Sequence, residues 1–171
     1  MVNMEQDIQL FEKVFRQYRP GLLAFARNIL NDHEEAEEVV HDIFLSIWDK
    51  RADMFSDPGL KSYLFRAVKN RCLNVLRKAK LDFEQMPDQV PEIDGSTLAS
   101  DLIEAKETEK LLNHLIEQLP KKCKQAFLLS RVDGLSHKEV AEIMDISTKT
   151  VENQIGIALK FFKENLGHLR N

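Results

Sequence analysis

Few residues in this chain are spaced for covalent or metal chemistry. Glu38-Val-Val-His41 has the Glu-x-x-His spacing that sets two metal ligands on one helix face, as di-metal carboxylate bundles use it. Such a centre needs a second Glu-x-x-His pair and two further inward carboxylates. None of His33, His114, His137 or His168 follows a Glu by three residues. No metal or other cofactor is therefore expected, and the pair reads as part of a solvated acidic face. Cys72 and Cys123 stand apart with no CxxC pattern, so neither a zinc site nor a disulfide framework is expected.

The chemistry that remains is hydrogen bonding and charge. Ser147, Thr148, Lys149, Thr150, Glu152, Asn153 and Gln154 follow one another with almost no apolar interruption. Lys can read guanine, Asn or Gln adenine, and Glu cytosine, from a helix laid in the major groove. A second run, residues 58–81, holds 7 bases and no acid. Within it Arg66, Lys69, Asn70 and Arg77 share a face, Asn74 flanks it, and Lys61, Tyr63 and Phe65 lie near its start. Lys and Arg suit phosphates, and aromatic rings suit unstacked bases. Arg71 falls on the apolar side and reads as a structural ion pair.

These residues need helices to hold them. Ile8–Tyr18 has apolar residues at 3–4 spacing, and Pro20 suits the first turn of a second helix through Leu30. Asn31 and Asp32 break the pattern, and Asp32 with Glu35 forms a helix start signal. A third helix, about His33–Lys50, pairs Val39/Val40, Ile43/Phe44 and Ile47/Trp48 as a core stripe. Its opposite face presents Glu35, Glu38, Asp42, Leu45 and Asp49. The fourth helix spans about Leu60–Lys80. Further on, one helix runs from about Leu102 to Gln118, and another from Pro120 to Asp133-Gly134. Ser136-x-x-Glu139 is a capping box, with Leu135 placed to staple onto Val140. Asp145-Ile146-Ser147 breaks the chain for three residues, Asp145 being able to take a left-handed backbone. Thr148–Phe162 follows, with Val151, Ile155, Ala158, Leu159 and Phe162 inward. Helix, three-residue turn and longer helix together have helix-turn-helix spacing.

Charge divides the chain into blocks. Its 171 residues carry a formal net charge of −4, which taken alone speaks against nucleic acid. Residues 1–57 hold 12 acids and 6 bases, residues 82–109 hold 9 acids and 1 base, and residues 121–171 hold 9 bases and 6 acids. Two basic segments are thus separated by an acidic one, a pattern that points to partners. Pro87, Pro91 and Gly95 mark residues 81–101 as a flexible acidic linker between units at 1–80 and 102–171. The expected fold class is all-α, two small helical domains with a helix-turn-helix in the second. Six glycines and five prolines argue against an all-β build. No apolar run is long enough to span a membrane and the first residues lack a signal-peptide core, so a cytoplasmic protein with no direct membrane insertion is expected.

The stretch EEAEEVVHDIFLSIWDKR resembles the helix by which sigma-70 family initiation factors grip the clamp of RNA polymerase. LKSYLFRAVKNRCLNVLRK is similar to the following helix, which handles the −10 promoter element, and LPKKCKQAFLLSRVDGLSHKEVAEIMDISTKTVENQIGIALKFFKENL to the domain that reads the −35 element. The short two-domain build resembles the extracytoplasmic-function group. This resemblance implies polymerase binding by Glu35, Glu38, His41, Asp42, Leu45 and Trp48, with Phe44 matching the same pattern and His41 standing where Gln is usual. It implies −10 contacts from Lys61, Tyr63, Arg66, Lys69, Asn70, Asn74 and Arg77, with residues 51–59 as the base-capturing loop. It implies −35 contacts from Ser147, Thr148, Lys149, Thr150, Glu152, Asn153, Gln154 and Lys160. The implied partners are the RNA polymerase core and promoter DNA, with an anti-sigma factor as a candidate, and the implied protein is no enzyme. A stand-alone helix-turn-helix regulator with a helical sensor domain is the alternative, although it leaves the basic fourth helix without a purpose.

Overall fold

The computed structural model describes residues 4–50, 52–85 and 107–167. Among them there are seven α-helices and no strand. α1 spans Met4–Leu30, α2 His33–Lys50 and α3 Leu60–Gln85; α4 spans Glu107–Glu117, α5 Lys121–Phe127, α6 His137–Met144 and α7 Thr148–Leu166. The expected all-α class holds.

α1 is one helix rather than two, with Pro20 inside it. Proline forfeits one backbone hydrogen bond and strains the preceding turn. Burial on both sides of it, Val14 before and Leu22, Phe25, Ala26 and Ile29 after, keeps the helix running. Asn31 ends it at φ 55 and donates its N–H to the Arg27 carbonyl at 2.8 Å. Asp32 then caps α2, its Oδ1 accepting the Glu35 N–H at 3.1 Å, and Glu34 and Glu35 sit at the positive end of the helix dipole.

α2 and α3 close a three-helix core on α1. Ala36, Val39, Val40, Ile43, Phe44 and Ile47 point inward from α2. Leu60, Leu64, Phe65, Val68 and Cys72 do so from α3. Phe11 meets Phe44, Trp48 and Phe55 edge-on at 6.1, 5.1 and 5.8 Å between ring centroids. Phe65, expected as aromatic surface, is 2 % exposed and packs edge-on to Phe25 of α1 at 5.5 Å. α3 also runs five residues past Lys80, since no proline intervenes before Pro87. The rest of the acidic linker from residue 86, and the start of the helix expected from Leu102, lie outside the described residues.

In the C-terminal unit, α5 continues as a π-helical turn over Leu128–Val132. Gly134, at φ 71, reverses the chain, and the Leu135 N–H reaches the Leu129 carbonyl at 3.0 Å. A positive φ is costly for a side-chain-bearing residue, and glycine avoids it. The capping box forms in full: Ser136 Oγ accepts from the Glu139 N–H at 3.1 Å, and Glu139 Oε2 from the Ser136 N–H at 2.9 Å. Asp145 takes the left-handed conformation, φ 55 and ψ 49. Leu159, expected inward, is 44 % exposed, while Val151, Ile155, Ala158 and Phe162 are buried.

The two units share a core. Ala126, Leu129, Leu135, Val140, Ile143 and Val151 belong to the same buried cluster as the α1–α3 residues. A second cluster, among them Leu115, Leu119, Cys123, Phe127 and Phe162, ties α4 and α5 to α7. Lys121 of α5 donates to the Ile29 carbonyl at 3.2 Å, capping the C-terminal end of α1.

Candidate nucleic-acid interface

The helix-turn-helix is built from α6, the Asp145–Ser147 turn and α7. Ser147 caps α7, its Oγ accepting the Thr150 N–H at 3.0 Å and lying 2.8 Å from Thr150 Oγ1. Two candidate base-reading hydroxyls are therefore already engaged within the protein. Thr148, Lys149, Glu152, Asn153 and Lys160 are exposed, and Gln154 is half-buried. Cys123 Sγ reaches the Gln154 carbonyl at 3.2 Å and ties α5 to α7. The exposed set forms a largely polar strip from the start of α7, interrupted by Gly156, around which a Cβ would meet nothing, and by exposed Ile157.

α3 divides its basic residues between two surroundings. Arg66, Asn70, Asn74 and Arg77 are exposed. Lys61, Tyr63 and Lys69 are half-buried. Burial pushes the Lys69 ammonium below its ordinary pKa, against the pull of Asp145. Lys61 Nζ lies 3.4 Å from where a Cβ on Gly134 would stand. Asp133 is pushed up to about 6 by burial, with Lys61 holding it down in part. Arg71 Nη2 donates to Asp42 Oδ2 at 2.8 Å, so the expected structural ion pair is present and crosses from α3 to α2. Sequence reading missed Lys50, which donates to Tyr63 Oη at 3.2 Å and lies 5.8 Å from the centre of its ring. Its place at the end of an acidic helix concealed it.

A third face lies on α2. Glu35, Glu38, His41, Leu45 and Trp48 are all exposed on one side, beside half-buried Asp42. Leu45 is 51 % exposed and Trp48 40 %, while Phe44 is in the core. Leu45 and Trp48 lie one turn apart on this face, so they form a small apolar spot bordered by acids. Among the described residues no group of three or more His, Cys, Asp or Glu is gathered as for a metal ion. No described helix is long and apolar enough to cross a membrane.

A helix-turn-helix beside a helix that is basic and free of acids over residues 60–80 defines a helical DNA-binding protein. Residues 14–81 match the family model for sigma-70 region 2, and residues 109–162 that for sigma-70 region 4. The chain is 23% identical to the RNA polymerase sigma-H factor of Pseudomonas aeruginosa, over 91% of each chain. It is 25% identical to the ferric citrate uptake sigma factor FecI of Escherichia coli, over 88% of this chain and 87% of that one. The fold is similar to that of the sigma factor RpoE of Bartonella quintana, solved with the anti-sigma factor NepR, at TM-score 0.65 and 20% identity over 92% of this chain and 96% of that one. It is similar to CnrH, solved with the cytosolic domain of CnrY, at TM-score 0.53 and 20% identity over 92% of this chain and 88% of that one. The chain belongs to the sigma-70 family, as a sigma factor of the extracytoplasmic-function group. It is an RNA polymerase sigma factor for promoter-specific initiation.

Proposed function

We propose a division of labour within this sigma factor. Residues 1–80 bind core polymerase and the −10 element, residues 102–171 read the −35 element, and residues 81–101 join them. The acid-and-apolar face of α2 (Glu35, Glu38, His41, Asp42, Leu45 and Trp48) docks on the polymerase. Lys149, Glu152, Asn153 and Lys160 of α7 contact the upstream duplex, and Ser147 and Thr150 fix the start of that helix. The exposed strip of α3, with Arg66, Asn70, Asn74 and Arg77, takes the phosphates of the melted −10 strand. Tyr63, held by Lys50, offers a ring against an extruded base, whose unstacking costs a few kcal/mol. The chain makes and breaks no bond; the polymerase does the chemistry. The acidic linker competes with nascent RNA for basic walls of the polymerase. The protein works in the cytoplasm, and an anti-sigma factor is a further partner, as the complexes solved for RpoE and CnrH suggest.

The observation that carries this reading is the presence of three distinct faces on one chain. One is acid and apolar, one is basic and acid-free, and one is a helix-turn-helix. Run-off transcription with core polymerase, with and without the chain, is the test. New, promoter-dependent start sites are expected, and an unchanged start-site pattern overturns the reading.

A further inference from the structure

Two neighbouring residues of α7 have no explanation within the chain. Gly156 stands in the helix interior, without a positive φ, and a Cβ built on it would meet nothing. Glycine in a helix costs stability relative to alanine, and here neither a turn nor a crowded neighbour requires it. Ile157 beside it is 52 % exposed, although Val151, Ile155, Ala158 and Phe162 of the same helix are buried. A lone exposed apolar side chain is commonplace; its setting here is not. At about 100° per residue, Lys149, Asn153, Gly156, Ile157 and Lys160 fall within one strip about 100° wide. The strip lies opposite the buried side of α7, and all five residues are exposed. Lys149 stands about two turns before the glycine and Lys160 about one turn after it. Two lysines so placed can hold phosphates on either side of a bare stretch of helix. Exposed Glu164 ends the strip, since a carboxylate repels phosphate.

We propose that Gly156 and Ile157 are specificity determinants of the −35 contact. The missing Cβ of Gly156 lets duplex DNA approach α7 closely, and Ile157 then lies against the 5-methyl group of a thymine. This rests on the assignment of α7 to the −35 duplex. Thymine is the base that presents a methyl group in the major groove, and apolar contact with that methyl distinguishes it. Asn153 is suited to adenine. Ile157 stands four residues further along α7, about 6 Å, which equals about two base-pair steps. The thymine is therefore expected within about two base pairs of the adenine that Asn153 reads.

The test removes the methyl from either side. Holoenzyme assembled from core polymerase and the full chain selects its site from a fully randomised duplex. The enriched −35 site is resynthesised with each thymine replaced in turn by deoxyuridine, which pairs alike and lacks the methyl. For the wild type, one such replacement should weaken binding about fourfold, the worth of one buried methyl group. Ile157→Ala should bind the thymine and deoxyuridine forms equally. Gly156→Ala keeps the isoleucine but holds the helix away, and should shrink the thymine preference. No cost of deoxyuridine in the wild type, or a cost that persists in Ile157→Ala, overturns the proposal. So does an Ile157→Ala chain that loses affinity for core polymerase with its base choice unchanged, which would put Ile157 in a protein interface. Full thymine preference in Gly156→Ala overturns the part given to the glycine. Lys149→Ala and Asn153→Ala separate this from the parent reading. If they change the selected site and Ile157→Ala does not, the methyl contact alone is wrong; if none of the three changes it, the assignment of α7 is wrong and the contact falls with it.

Discussion

Asp145 and Cys72 show how differently single residues are constrained. Asp145 has a short polar side chain at φ 55, where bulkier residues meet their own backbone. Asp145→Val should therefore lower stability by about 1–2 kcal/mol, read from urea unfolding midpoints. Asp145→Gly removes the same charge without the clash, so the difference between the two variants isolates the backbone contribution. Cys72 is fully buried in the α1–α3 core, and its thiol is pushed up to about 11 by that burial and by the nearby Glu35 charge. Only the thiolate attacks a disulfide reagent. Native protein at about pH 8 should leave Cys72 unmodified, with reaction appearing only once urea unfolds the chain. Rapid native labelling of Cys72 would contradict its place in the core. For the candidate polymerase face, Leu45→Asp should weaken binding of core polymerase at least tenfold and leave the urea midpoint near that of the wild type, because Leu45 is half in solvent.

At the scale of elements, what could be read from sequence was what neighbouring residues settle among themselves. The capping box of Ser136 and Glu139 and the left-handed Asp145 lie at the two ends of one short helix, and both formed as their chemistry dictates. The expected Arg71 ion pair is present, but Arg71 is exposed and not on the apolar side of α3, so the pair lies at the surface. Features decided across the fold were not legible. Pro20 has every local mark of a helix start, yet packing against α2 and α3 holds the helix through it. Phe65 looks like part of a basic, aromatic surface until Phe25 of α1 is set beside it. The π-turn at Leu128–Val132 has no local signal at all. Lys61 and Lys69 were legible as charges, but their cover by α6 depends on the docking of a unit far along the chain. Gly156 yields an element-scale prediction. It lies in the middle of α7, at no special φ and with nothing near a Cβ. Gly156→Ala should raise stability by about 0.5–1 kcal/mol through the helix alone, measured as a higher urea midpoint. A loss of stability would mean that the space around it is not open.

At the scale of the whole molecule, the net charge of −4 is a sum over surfaces with opposite tasks. The C-terminal unit packs on α1–α3, and this closed form is sensitive to pH because it buries Asp133. Asp133 has an ordinary carboxylate pKa of 3.8 when exposed and is pushed up to about 6 in the closed chain by burial. From α3, Lys61 faces it and favours its charged form, while Pro20 and Gly21 of α1 bring no titratable group. A raised carboxylate pKa means that closure takes up a proton. Above about pH 6 the closed form bears the full penalty of a buried anion. As pH falls from there toward 3.8 that penalty is relieved, and below 3.8 both forms are protonated and the dependence ends. The closed fraction should therefore rise as pH falls from about 6 to about 3.8. Dyes placed at the exposed positions Ser46 and Lys163 would report it as a change in energy transfer between the two units. Asp133→Asn fixes the side chain as neutral and should flatten the profile at its low-pH level. A profile that keeps its slope in Asp133→Asn would assign the proton to another group and leave Asp133 with no part in closure.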